Sequence, residues 1–427
     1  MGKRHVPGVL LLHHQPIGPN ASTISEHVRA FGRHSRFPIY EHNTELGFPP
    51  ALADWEFDAI VMHYSLFGTS PYTLNQKHLE YINRASTYKV AYFQDEHRYC
   101  QKRFAFLNDH RVNCVFTLLE PTEWSKVYQK YTRVEKLIYT LTGYVSEELL
   151  SVSKRAHKPD SLRNIDIGYR ARRLDFYMGA GGQEKHLIAE AFEHSSAARE
   201  LVLDIDTKEE RRLYGAQWVN FLANCRGALG VETGVSVFDL EDVVRPACER
   251  LLAENPAITF EEVSARVLKP WEGRVFYRTV GPRHFEAAAL RVCQIMFEGK
   301  YSGVMQAGKH YLSLKKDFSN LDEVIRLFKD ADVRRQISDA AHEDLIASRR
   351  FEYSALISDF DRVLEQAGLG VDSTQPDARV QRQLKEGYWP HRVRAELRGR
   401  VIRPTRARIR TMINQLAVLA RIRATSG

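Results

Sequence analysis

The hydrophobic positions of this chain fall into short unbroken runs rather than strict alternation. Residues 8–14 (GVLLLHH), 57–64 (FDAIVMHY), 88–95 (YKVAYFQD) and 112–117 (VNCVFT) are such runs. Polar loops and stretches with helical spacing separate them, as at 25–34 and 73–85. Unalternating apolar strands are buried on both faces, and helices between them predict a parallel, doubly wound sheet. A second set follows: 165–169, 200–205, 225–231 and 293–298 as strands, 184–194 and 210–225 as helices. The pattern loosens over 143–164, and three helices after Leu321 end near Gly370. The expected organisation is therefore an α/β domain over 1–142, a linker over 143–164, and a second α/β domain over 165–370. The second domain carries a helical insertion near 239–274. Twin doubly wound sheets put the working site in the cleft at their strand C-terminal ends.

Composition narrows this picture. At 427 residues, 44% apolar and 27% charged, the chain is long enough for two cores. It has no apolar stretch of the roughly 18 residues a spanning helix needs. The N-terminal run is broken by His13 and His14 and reads as a first strand, not a signal peptide. Five cysteines, Cys100, Cys114, Cys225, Cys248 and Cys293, show no CxxC spacing, so a reducing, cytoplasmic setting without structural zinc is expected. The net charge of +8 is uneven: residues 371–427 hold thirteen Lys or Arg against four Asp or Glu. That segment is a basic amphipathic tail, with Ile409, Met412, Ile413, Leu416, Leu419 and Ile422 at near-helical spacing. Such a helix suits an anionic membrane surface or packing back on the fold. With only Tyr388 and Trp389 as aromatics, a nucleic-acid platform is disfavoured.

Two segments carry candidate chemistry. Residues 282–303 (PRHFEAAALRVCQIMFEGKYSG) read as a loop, a helix start containing Glu286, a buried strand and a polar loop. A carboxylate at a helix start accepts hydrogen bonds from sugar hydroxyls, and the free N–H groups there suit a phosphate. Residues 165–192 place Arg170, Arg172 and Arg173 after a strand, then Gly179, Gly181 and Gly182 before a helix with Lys185. Glycines beside a helix start admit a pyrophosphate, and Arg or Lys neutralises it. The spacing is not the dinucleotide fingerprint. No HxxxH, HExxH or GxSxG occurs, so neither a metal site nor a serine hydrolase has an anchor.

The stretch around Phe285-Glu286-Ala287 resembles the donor-binding segment of GT-B glycosyltransferases, in particular the family 4-like "glycosyl transferases group 1" domain and its spore-maturation-protein relatives. The resemblance implies a GT-B-like pair of Rossmann-type domains facing across a cleft, and transfer of a sugar from a nucleotide-diphosphate donor without a cofactor or metal. Glu286 matches the second glutamate of the family pattern, which holds the nucleotide ribose. Arg278 stands where the first would fall, and Glu232, on a loop after a predicted strand, is the candidate replacement near the transferred sugar. Arg170 and Lys185, with Arg172, Arg283 and Ser236, are the implied donor-binding set. His14, Asp95 and His97, at strand ends of the first domain, are the candidate catalytic groups on the acceptor side. The expected role is surface-polysaccharide or glycoconjugate assembly, with a nucleotide sugar and a glycan or lipid-linked acceptor as partners. A nucleotide-sugar epimerase on the same fold and a non-catalytic nucleotide-binding scaffold are the alternatives.

Overall fold

The computed structural model describes residues 3–17, 22–370 and 375–402. The first lobe is built on six parallel strands: β1 (Arg4–His13), β2 (Ile39–Asn43), β3 (Trp55–Met62), β4 (Tyr88–Tyr92), β5 (Cys114–Thr117) and β6 (Lys136–Tyr139), in the order β2-β1-β3-β4-β5-β6. The pairing puts Val9 beside Ile39 and Leu10 beside Ile60. Both faces of β1 are covered. Leu10, Leu12, Ile60, Met62 and Val115 lie in one apolar layer, and Val9, Leu11, Val61, Tyr92 and Phe116 in the other. That two-sided burial is why the runs do not alternate. Each such side chain contributes about 1.5–3 kcal/mol when removed from water.

The second lobe repeats the plan with β7 (Ile165–Arg170), β8 (Leu203–Asp206), β9 (Cys225–Gly230), β12 (Cys293–Phe297) and β13 (Leu312–Leu314), ordered β8-β7-β9-β12-β13 and all parallel. Its core joins Ile167, Phe192, Leu229, Ile295 and Phe328. In both sheets the second strand lies on one side of the first and the third on the other. This strand order opens a crevice at the strand C-terminal ends.

Three boundaries differ from the sequence expectation. The last helix of the expected second domain, Tyr353–Gln366, packs on the first sheet instead, through Leu356, Ile357, Phe360 and Leu364. Its buried Asp361 fixes the crossing, accepting from Ser35 Oγ at 2.7 Å and from the Arg36 N–H at 2.8 Å. The linker contains a helix, Glu147–Ala156, whose Leu149 and Leu150 join the second lobe's Phe285 and Leu345. An amphipathic pattern declares a buried face but not which neighbour buries it.

The insertion is the third difference. It is framed by an antiparallel pair that the pattern did not reveal, β10 (Thr233–Val237) and β11 (Glu272–Thr279), around the helices Val244–Glu254 and Phe260–Val263. It clasps the first lobe. Val237, Phe238, Val263 and Tyr277 share one apolar cluster with Phe93, Phe104 and Tyr128. The Glu123 carboxylate accepts from the Phe276 N–H at 2.9 Å, and the Glu96 N–H donates to the Tyr277 hydroxyl at 3.2 Å. Asp242 accepts from the N–H groups of Cys100 and Gln101 at 2.7 and 3.1 Å, capping the helix Cys100–Asp109 from outside.

The basic segment begins with two helices, Ala378–Glu386 and Trp389–Leu397. The first covers the edge of the first sheet. Gln381 donates to the Glu41 carbonyl and accepts from its N–H, both at 3.0 Å, while Val380 and Leu384 are buried. The amphipathic positions Ile409 to Ile422 lie outside the described residues. Asp242→Ala removes two helix-end bonds and is expected to cost about 1–2 kcal/mol. A urea titration of the variant against the parent measures it, and an unchanged midpoint would show that the clasp does not depend on this cap.

Candidate functional site

A cavity of about 440 Å3 opens at the C-terminal ends of β7 and β9, where the strand order of the second sheet reverses. Its walls are the β7 end with Arg172, the helix Ala180–His194 through Lys185, the helix Gly215–Ala223 through Trp218, and the helix Pro282–Ala289 through Arg283 and Glu286. Thr23 of the first lobe closes the opposite side. Four sequence candidates, Arg172, Lys185, Arg283 and Glu286, thus meet in one crevice.

The helix Pro282–Ala289 is built for this place. Proline at its first position needs no N–H partner and has its φ preset. The Gly281 N–H donates to His284 Nδ1 at 2.9 Å, so His284 is a neutral acceptor, and burial lowers its pKa to about 4. One turn on, Glu286 Oε2 accepts from Trp218 Nε1 at 2.7 Å. Burial raises the pKa of this carboxyl, while the indole N–H and Arg283 oppose the rise. The Arg283 guanidinium lies over the Trp218 ring, 4.6 Å from its centroid, and donates to the Arg170 carbonyl. Trp218 therefore orients both the acid and the base of this wall.

The electrostatic character is cationic. Among the described residues Lys185 and Arg172 have no hydrogen-bond or ion-pair partner. Burial, then the neighbouring Arg283, Arg172 and Arg278, lower the Lys185 pKa to about 8, with Asp95 acting in the opposite sense. Cations left facing one another in a partly enclosed space are a standing cost that an anionic group relieves.

Other candidates are placed elsewhere. Arg170 is buried and structural: it donates to the Asp204 carboxylate at 2.6 Å and to the Asp204 carbonyl at 2.7 Å, with its guanidinium over Phe221. It does not line the cavity, because its side chain is consumed in holding β7 to β8. Ser236 is likewise withdrawn, its Oγ accepting from the Gly181 N–H at 2.7 Å. The Glu272 carboxylate sits against the Ala180 N–H at 3.3 Å. The glycine-rich helix start is thus capped by the inserted strands and not free for a phosphate. Gly181 lies so close to the Arg278 guanidinium that a Cβ there would require that side chain to move.

Glu232 is buried in a charge network. It accepts from the Tyr301 N–H at 2.8 Å and lies 3.8 Å from Arg278 Nε, while Arg278 also pairs with Glu184. Burial raises its pKa, opposed by the Tyr301 bond and by Arg278 and Lys316. The arginine at the expected glutamate position and its candidate replacement are therefore partners, and neither lines the cavity.

On the first lobe His97 is packed beside Tyr177 and Tyr277, with neither ring nitrogen hydrogen-bonded among the described residues. Burial lowers its pKa to about 4, and it does not line the cavity. Asp95 is exposed on the other side of that turn, 3.2 Å from Arg98, and its charge reaches Lys185. His14 ends the β1 crevice, its Nδ1 3.2 Å from Thr44 Oγ1 and its Nε2 3.7 Å from Glu45. Trp218 and Thr23 were not picked out by the sequence. Trp218 sat inside a predicted helix with nothing to mark its exposed side.

No family model and no curated protein matches the sequence. Among solved structures the chain is similar to an alpha-glucosyltransferase in complex with UDP-glucose and DNA containing an abasic site, at 10% identity and TM-score 0.49, over 85% of this chain and 100% of that one. It is also similar to Anabaena Alr3699/HepE in complex with UDP, at 12% and 0.46, over 84% and 100%. A third is TarM, at 8% and 0.43, over 73% of this chain and 55% of that one. The chain spans about half the length of TarM.

Lys185 keeps its charge below about pH 8 and loses it above. Affinity for a nucleoside diphosphate should therefore be full near neutrality and fall as pH rises through that value. Lys185→Arg should flatten the profile, because arginine stays charged; calorimetric titrations across the range test this. Arg172→Ala should weaken the same binding about tenfold, the loss of one charge-assisted contact. Arg170→Met should instead lower the melting temperature.

Proposed function

We propose that the chain is a glycosyltransferase that binds a nucleotide-diphosphate sugar in the second-lobe cavity and passes the sugar to an acceptor held by the first lobe. The observation that carries this is the meeting of Arg172, Lys185 and Arg283, a carboxylate and an indole at the switch point of a parallel sheet. The three cations suit a diphosphate; Glu286, fixed by Trp218, suits ribose hydroxyls.

As the glycosidic bond breaks, negative charge grows on the departing diphosphate. Cations already in place stabilise that charge without reorganising, which lowers the barrier to transfer. Asp95 is an exposed first-lobe carboxylate whose charge acts on Lys185, and it is the group to accept a proton from an acceptor hydroxyl. His14 lines the acceptor side with Glu45 behind it. Thr23 on the cavity wall brings the lobes close enough for closure to exclude water, so that the sugar goes to the acceptor rather than to hydrolysis. An acceptor in polysaccharide or other glycoconjugate assembly, glycan or lipid-linked, fits this arrangement.

The pairing of Arg278 with Glu232 favours one second reading, a nucleotide-binding scaffold without catalysis, since no carboxylate stands at the expected sugar-side position. A mass-spectrometric screen of nucleotide sugars with candidate acceptors separates the two. Turnover with one donor is expected. Glu286→Ala should weaken nucleotide binding about tenfold, as loss of a charged hydrogen-bond acceptor does, and Asp95→Asn should slow transfer while leaving that binding intact. Binding of nucleotide without any turnover would select the scaffold, and wild-type affinity in both Glu286→Ala and Lys185→Ala would remove the site.

A further inference from the structure

The helix Trp389–Leu397 turns one face inward and leaves the other in water. Ala395 is buried, and Gly399, just beyond, packs so closely on Ile17 that a Cβ would overlap its carbonyl. On the outer face Trp389 is 71% exposed, Val393 44% and Leu397 53%. These residues are four apart, so they line up as one apolar ridge. Single exposed apolar side chains are ordinary on a protein surface; a ridge headed by a tryptophan marks an interaction. Arg394, Arg398 and Arg400 stand exposed beside it, with no ion-pair or hydrogen-bond partner among the described residues. Residues 403–427 follow directly with six arginines and no acidic residue.

An occupant of this face must offer apolar depth and dense negative charge together. The chain's own residues 403–427 bring arginines to arginines, and so does a second copy of the same helix. A bilayer with anionic headgroups supplies both parts: the acyl boundary takes the ridge and the phosphates take the guanidinium groups. We propose that the Trp389–Leu397 helix docks, by this ridge and its flanking arginines, on the surface of an anionic phospholipid bilayer. Tryptophan belongs at such an interface, with its ring among acyl chains and its N–H at headgroup level. The docked helix would sit beside the end of β1, because Gly399 rests on Ile17 and the Tyr388 N–H donates to the Leu46 carbonyl at 2.9 Å. The first lobe's crevice would then open next to the lipid surface. This inference does not depend on the glycosyltransferase reading.

Co-sedimentation of the full chain with vesicles tests it. Binding is expected to mixed phosphatidylglycerol–phosphatidylcholine vesicles, to weaken with salt, and to be at least about tenfold weaker to pure phosphatidylcholine. Trp389→Glu with Val393→Glu should cut binding about tenfold while melting temperature and UDP affinity stay unchanged. Should that variant fold poorly, Trp389→Phe serves instead: brominated lipid should quench tryptophan fluorescence of the parent, and the quenching should fall in the variant. Equal binding to both vesicle types, unchanged binding of the double variant, or quenching retained in Trp389→Phe would overturn the proposal. So would a dimer in sedimentation velocity that the double variant dissociates. Loss of UDP affinity with vesicle binding intact would remove the functional reading and leave this one standing.

Discussion

Uncompensated positive charge at the mouth of a parallel sheet is the constraint around which the second lobe is organised. Lys185 and Arg172 face the cavity without partners among the described residues, and Arg283 spends part of its guanidinium on an indole face and a carbonyl. The sheet order creates the crevice, and the helices that follow its strands bring the cations to its rim. Three buried or half-buried arginines of this lobe are instead paired: Arg170 with Asp204, Arg278 with Glu184 and Glu232, Arg226 with Asp166. Those pairs tie strands and helices together, whereas Arg172 and Lys185 are directed at the cavity.

The insertion changes what the lobes can do. Its two strands cap the glycine-rich helix start through Ser236 and Glu272, and its far end grips the first lobe through Asp242, Phe238 and Tyr277. One element therefore removes a phosphate site that the sequence appeared to offer and ties together the two walls of the cleft. Any relative motion of the lobes has to pivot about this contact or break it. The crossing helix Tyr353–Gln366, anchored by Asp361, adds a second tie on the other side of the first sheet.

Several histidines of the first lobe are buried neutral groups. His27 and His63 share a hydrogen bond of 2.8 Å, and His42 and His78 one of 3.2 Å, inside the first lobe. Burial lowers the pKa of His27 and of His78 to about 3 and that of His42 to about 4. A depressed histidine pKa means that the unfolded chain binds protons the folded chain refuses. Stability from these groups is therefore full above the ordinary histidine pKa and declines as pH falls toward the folded values. His97 belongs to the same class.

The alternation of apolar runs with helices determined the two parallel sheets and the position of the cleft, because strand burial on both faces leaves a signature in every residue. Lys185, Arg172, Arg283 and Glu286 were also within reach of the sequence, since each lies on or just beyond an element whose end faces the crevice. Other features were not legible, and each depends on a contact between distant residues. Arg170 differs from Arg172 in being buried at the β7 end with the Asp204 carboxylate of the neighbouring strand within reach, and Ser236 is a cap only because β10 lies against the helix Ala180–His194. Trp218 enters the site through its bond to a carboxylate 68 positions away. Local pattern fixes which residues are buried and in what element; which charge meets which partner is decided when those elements pack, and that pairing separates a binding residue from a structural one.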